Sequence, residues 1–183
     1  GRWGIVVDVP SPNGKHVSAQ LGFKVKSITD SVSINSLAPK SQHRTLHDVS
    51  DIAELTSSQT PDLDLYTVTI ADSIAASVIT VVSFASPFFC QTAVCGPQVD
   101  VLSQVKDNYI GRVNFIHIEV YENPSTLMQG ESDPKLSPLM DEWGLQMEPF
   151  TFIIDREGRV SAKFEGFVTM VELEDAIETL LDS

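Results

Sequence analysis

The sequence predicts an α/β domain, a three-layer sandwich with a mixed central sheet, preceded by an N-terminal β-hairpin. Three observations carry this. From Leu65 onward, apolar stretches of strand character alternate with stretches of helical spacing, which calls for a parallel core. Near the C-terminus, Glu157-Gly158 marks a tight turn between two apolar runs, adding an antiparallel pair. Near the N-terminus, residues 16–26 alternate apolar and polar after the dense turn signal Pro10-Ser11-Pro12-Asn13-Gly14.

In chain order, residues 3–9 read as a strand and residues 16–26 as its hairpin partner. Val17, Ala19, Leu21, Phe23 and Val25 fall on one face of that partner. A lone hairpin is marginal in water, so this one is expected to pack on something. By pattern it is similar to the last two strands of an immunoglobulin-like sandwich. The chain opens inside this strand with no Met, so further chain upstream is expected, a targeting segment or another domain.

Residues 27–64 are polar and rich in Ser, Thr and Asp, and read as a linker with a turn of helix near 49–55. His43 and His47 lie there four apart and are expected to be solvent-exposed, since no further metal ligand is near.

The domain proper is expected at 65–183. Residues 69–75 suggest a short helix, 78–84 a buried strand, 99–109 a helix ended by Gly111, and 113–121 a second strand. Residues 122–134 read as loop, 136–143 as a short helix ended by Gly144, 150–155 and 159–164 as paired strands. Residues 168–181 close the chain as an amphipathic helix with Val171, Ala176, Ile177, Leu180 and Leu181 inward.

Composition narrows the function. Twelve basic residues against 25 acidic ones give a net charge of −13, which argues against nucleic acid as a partner and disfavours anionic membrane surfaces. No apolar run approaches the roughly 20 residues that span a bilayer. Two cysteines do not make a disulfide-dense scaffold, but Cys90 and Cys95 lie five apart in Phe84-Ala85-Ser86-Pro87-Phe88-Phe89-Cys90-Gln91-Thr92-Ala93-Val94-Cys95-Gly96-Pro97.

Two motifs then resemble the thioredoxin-like superfamily. The first is a strand ending in an aromatic, Val81-Val82-Ser83-Phe84, followed by Cys90 and by Pro97 within the next helix. The second is Trp143-Gly144-Leu145, then Pro149-Phe150-Thr151-Phe152-Ile153-Ile154-Asp155, Gly158, and Phe164-Glu165-Gly166. The resemblance covers roughly residues 65–183. It implies that Pro149 is cis and faces the thiols, and that Glu148, Pro149 and Phe150 hold the substrate backbone. It departs at the dithiol, which is Cys-x-x-x-x-Cys here rather than Cys-x-x-Cys. A second register would place Cys95-Gly96-Pro97-Gln98 on a Cys-Gly-Pro-Cys motif; the first, with Cys90 opening the helix and Pro97 at its kink, is preferred.

On that register Cys90 is expected to attack, its thiolate favoured by the helix N-terminus, and Cys95 to resolve the mixed disulfide. Five positions do not share a helix face, so closing the bridge requires a loop or an unwound first turn. His117 and Glu119, from the neighbouring strand, are expected to tune the thiol pKa, and the Glu148 charge to disfavour a thiolate. Exposed, Phe88 and Phe89 would form a docking patch; buried, they would pack the loop.

Two other readings stay open. One is a binding module whose permanent bridge contributes only roughly 2 kcal/mol, since the ring is small. The other follows from the resemblance: copper-delivery relatives use two cysteines and a distant histidine, which would be Cys90, Cys95 and His117 here, and thiolates select Cu(I). The first expectation is thiol–disulfide exchange with protein thiols or disulfides, outside the reducing cytoplasm, with no cofactor.

Overall fold

The computed structural model describes residues 1–12 and 14–182; Asn13, within the first turn signal, lies outside them. The chain divides into two compact units, Gly1–Asp30 and Ser31–Ser183.

The first unit is a two-stranded antiparallel sheet of β1 (Arg2–Pro10) and β2 (His16–Lys24). Its register places Trp3 opposite Phe23, Ile5 opposite Leu21, Val7 opposite Ala19 and Val9 opposite Val17. The period of two therefore gathers these eight side chains on one face. Every described residue of both strands is solvent-exposed.

The second unit contains α1 (Ile70–Ala75), β3 (Ile79–Phe84), α2 (Cys95–Lys106) and β4 (Val113–Ile118). There follow α3 (Pro124–Met128), α4 (Pro138–Glu142), β5 (Phe150–Ile154), β6 (Val160–Glu165) and α5 (Met170–Leu181). Its sheet runs β4-β3-β5-β6, with β3 and β4 parallel and the other neighbours antiparallel. The four expected strands thus share one mixed sheet.

Alternation along the strands divides the core in two. Val81, Phe115 and Ile153 face Leu102 and Val105 of α2 and Leu173 and Ile177 of α5. Val82, Phe84, Ile116 and Phe152 face Ile70, Met140 and Trp143. Trp143 is fully buried and packs its ring on Phe84 and Phe152, with centroids 5.2 Å and 4.8 Å away. Each such aromatic pair adds about 0.5–1.5 kcal/mol beyond its buried area.

The 31–64 segment is not a free linker. It belongs to the second unit, and its first part lies along the β6 edge, where Asn35 N–H donates to Val160 O at 2.8 Å and Ala38 N–H to Gly158 O at 2.9 Å. Ser41, Thr45, Leu55, Thr56 and Ser57 are buried in it. Its helical turns are the 3-10 stretches Ile52–Glu54 and, at its end, Leu63–Tyr66. We call it the strap.

Three further expectations are corrected. Residues 122–134 contain a short helix, α3, opened by Pro124 after Asn123 at φ 49°. In α5 the spacing of Leu173 and Ile177 sets the inner face, while Ala176, Leu180 and Leu181 are only partly buried and Val171 is 64% exposed. His43 and His47 share no helix; His47 is exposed, whereas partly buried His43 accepts the Ile70 N–H at 3.2 Å through Nε2 and contacts Arg44 O at 3.0 Å through Nδ1. A carbonyl only accepts, so Nδ1 carries the proton and His43 is neutral in this arrangement.

Candidate active site

Cys90 and Cys95 form a disulfide, with their Cα atoms 6.0 Å apart. The bond is reached through a loop. Residues 87–93 turn over the end of β3, held by Cys90 N–H donating to Ser86 O at 3.1 Å, with Ala93 in the left-handed region at φ 56°. Helix α2 opens at Cys95, so Cys90 does not sit at a helix start as the preferred register had it. Cys95-Gly96-Pro97-Gln98 forms the first turn, where proline's missing N–H costs no intrahelical bond. The helix start thus follows the second register, while Cys90 supplies the partner sulfur. The unpaired N–H groups that favour a thiolate lie at Cys95, not Cys90.

The two sulfurs differ in access. Cys95 is fully buried; Cys90 is partly exposed, and its Sγ lies 3.2 Å from the Thr92 hydroxyl, which can donate to it. Phe88, two residues before, is 53% exposed, with its ring edge-on to Phe89, which in turn meets Tyr121. So of the aromatic pair, Phe88 faces outward and Phe89 packs the loop.

Glu148 approaches from the other side. The Glu148–Pro149 peptide bond is cis, and Glu148 Oε2 lies 3.5 Å from Cys95 Sγ. Burial pushes the Glu148 carboxyl up to about 7; the Ser86 N–H pulls it back and the Glu119 charge raises it further. Pro149 is buried and its carbonyl accepts the Gly166 N–H at 2.9 Å. Phe150 does not belong with a substrate-holding loop: it pairs with Phe84 and Glu165 inside the sheet, and its side chain lies in the core.

A buried polar network lies behind the loop. His117 Nε2–H donates to Ala85 O at 2.9 Å, and Tyr66 donates its hydroxyl to His117 Nδ1 at 2.7 Å. Burial holds the His117 pKa below its usual value, against the Glu119 charge and the Ala85 carbonyl. Glu119 Oε2 accepts both the N–H and the hydroxyl of Ser57, at 2.8 Å and 2.7 Å. Ser57 Oγ also accepts the Phe88 N–H at 3.1 Å, so the strap holds the disulfide loop directly.

The Cu(I) set is not assembled. Both His117 nitrogens are occupied, and among the described residues the group with all its side-chain donor atoms within 4.8 Å of one another is Cys90, Cys95 and Glu148. Both sulfurs in it are already spent in the bond to each other.

Sequence reading missed Ser57, Tyr66, Thr92 and Gln98 as parts of this site. Thr92 stands two residues from Cys90 and was legible as a local donor. Ser57 and Tyr66 reach it from 62 and 51 positions away, with no local signal. Gln98 is fully buried, and its Oε1 accepts the Val168 N–H at 2.8 Å, tying α2 to the approach of α5.

No protein-family model matches this chain, and no curated protein does. Solved structures do. A putative thiol:disulfide interchange protein DsbE from Chlorobium tepidum superposes with a TM-score of 0.59 at 16% identity, covering 82% of this chain and 99% of its own. A DsbF homologue from Corynebacterium diphtheriae gives 0.47 at 21% identity, over 63% of this chain and 78% of its own. Chloroplastic thioredoxin z gives 0.47 at 22%, over 61% and 86%. The likeness is one of fold, and it rests on the first: the chain has a thioredoxin-like fold with a mixed sheet and an N-terminal hairpin.

Proposed function

We propose that this protein carries out thiol–disulfide exchange with protein thiols or disulfides, Cys90 attacking and Cys95 resolving. The observation that carries the reading is the difference in access across one bond: Cys90 is partly exposed, while Cys95 is fully buried at the head of α2. A substrate sulfur can meet only Cys90. Access, rather than a helix terminus, assigns the roles. In the reduced protein the Cys90 thiolate attacks a substrate disulfide, one substrate sulfur leaves as a thiolate, and a mixed disulfide forms. Cys95 then attacks Cys90, the second substrate sulfur leaves, and two electrons have passed to the substrate. The oxidised protein runs the same steps in reverse. The exposed Phe88 and the Glu148–Pro149 turn flank the reacting sulfur and are the surface on which a substrate polypeptide would lie.

We place the protein outside the reducing cytoplasm, where a bond such as Cys90–Cys95 persists between encounters. Among the described residues no helix is long and apolar enough to cross a membrane.

A redox titration read by thiol trapping, alongside insulin reduction, tests the reading. The expected result is a reversible two-electron couple between about −120 and about −270 mV, the span of known exchange catalysts. A potential below about −300 mV with no insulin reduction would identify a permanent structural bridge and end the exchange reading.

A further inference from the structure

The hairpin of β1 and β2 is two-faced. On one face Ser18 Oγ–H donates to Asp8 Oδ1 and His16 Nδ1–H to Asp8 Oδ2, both at 2.6 Å. Arg2, Gln20 and Lys24 share that face by register, and such groups are at home in water. The opposite face carries the eight apolar side chains paired across the ladder and no charge. Seven of them are 42–66% exposed. Two-stranded sheets alone are marginal in water, yet this one runs through nine residue pairs in continuous register. An apolar patch of this size on a soluble protein marks a contact surface.

The shape of the face selects its partner. It tapers along the ladder, from Trp3 and Phe23 at one end, through Ile5 and Leu21, to Val9 and Val17 at the other. Two sheets pack evenly about 10 Å apart where large side chains meet small ones. A second copy of the same hairpin supplies that fit. Take a two-fold axis lying between the sheets and across the strands. The valine end of each copy then meets the aromatic end of the other, and the interface is self-complementary. The area is also sufficient: the exposed side chains offer roughly 700 Å² on each copy, close to the ~800 Å² per partner of a standard interface.

We propose that the apolar face of the hairpin is a homodimer interface. Two hairpins pack face to face as a four-stranded sandwich, with the Trp3–Phe23 end of each over the Val9–Val17 end of the other. The polar face, with its Asp8, His16 and Ser18 contacts, stays in water. The proposal rests on the hairpin alone and is independent of the exchange chemistry.

Sedimentation equilibrium of the full chain from about 0.1 µM to about 100 µM tests it. The expected result is two chains per particle at the upper end, and no more. As the particle dissociates on dilution, Trp3 emission is expected to shift to the red, while fully buried Trp143 contributes a constant. The dissociated chain has this face exposed, and truncations on it cost that single chain little. Leu21→Glu puts a carboxylate on the apolar face of both copies and is expected to weaken association about a hundredfold or more. Gln20→Glu adds the same charge to the polar face and is expected to change it by less than about threefold. Val9→Trp keeps strand propensity, so the hairpin survives it, but it thickens the thin end against the opposite Trp3. It is expected to weaken association about tenfold. Adding Trp3→Val reverses the taper and is expected to restore association. A single chain at every concentration would overturn the proposal, including one whose Trp3 emits as a side chain already covered. Particles growing past two chains would mean edge-to-edge strand pairing, and a dimer indifferent to both Leu21→Glu and Val9→Trp would lie on another surface; either overturns it.

Discussion

The hairpin and the strap are the two parts of the chain whose appearance in sequence and place in the structure are most at odds. The hairpin has a clean alternating pattern and a full antiparallel register, yet every described residue in its strands is exposed. The strap is a run of Ser, Thr and Asp with only short 3-10 turns, yet it buries Leu55, Thr56 and Ser57 and pins the disulfide loop. Regular local structure and burial are therefore separate properties. Alternation reports that a segment can form a strand; it does not report what covers it. A hydroxyl-rich segment can be core when each hydroxyl meets a fixed partner, because a satisfied buried polar group carries little cost.

The largest test of this contrast sets one leucine against another. Leu55→Ala in the strap removes a side chain packed in the core and is expected to destabilise the second unit by about 2–3 kcal/mol. Leu21→Ala in the hairpin, 66% exposed, is expected to change stability by less than about 0.5 kcal/mol. Urea unfolding of both variants checks this. Equal losses would mean that the apolar face of the hairpin is as well covered as the strap.

A smaller effect is expected at Ser57→Ala. It takes one of three donors from the buried Glu119 carboxylate and leaves the Phe88 N–H without its acceptor. The expected loss is about 1–3 kcal/mol. Amide exchange in residues 86–94 should rise more than elsewhere, which hydrogen-exchange measurements would show. Unchanged exchange there would separate the strap from the site.

The smallest effect lies at His43, where the strap meets α1. Burial lowers its pKa, against the Arg44 carbonyl and the charges of Asp72 and Asp48. Below the ordinary histidine value of about 6.5 the unfolded chain takes up the proton first, so the unfolded state binds more protons there. Stability from this group is therefore present above that pH and falls as pH drops below it. Glu148, raised to about 7, acts in the opposite sense, so the wild type alone mixes the two. The stability difference between wild type and His43→Gln should isolate the His43 slope: the variant should lose less stability on acidification. Parallel pH profiles would show that the Ile70 N–H contact is not what holds the strap at α1.

The sequence by itself determined the strands, their order, and the positions of Cys90, Cys95 and Glu148 as the residues to watch. These rest on local signals: continuous apolar runs in β3 and β5, the Asp155-x-x-Gly158 turn, and the spacing of two thiols around a strand-to-helix junction. Gly158 at φ 76° shows why such a turn is legible, since it needs a residue free to adopt positive φ. Tertiary structure decided which cysteine is reachable, because burial of Cys95 comes from α2 packing on the sheet and not from its neighbours in sequence. It also decided that Glu148 touches Cys95 across 53 positions, and that Ser57 serves Glu119 across 62. Contacts of that range depend on how layers stack around a common core. No periodicity of 2.0 or 3.6 residues encodes them, so they emerge only when the strap, the loop and the β5 entrance occupy one volume.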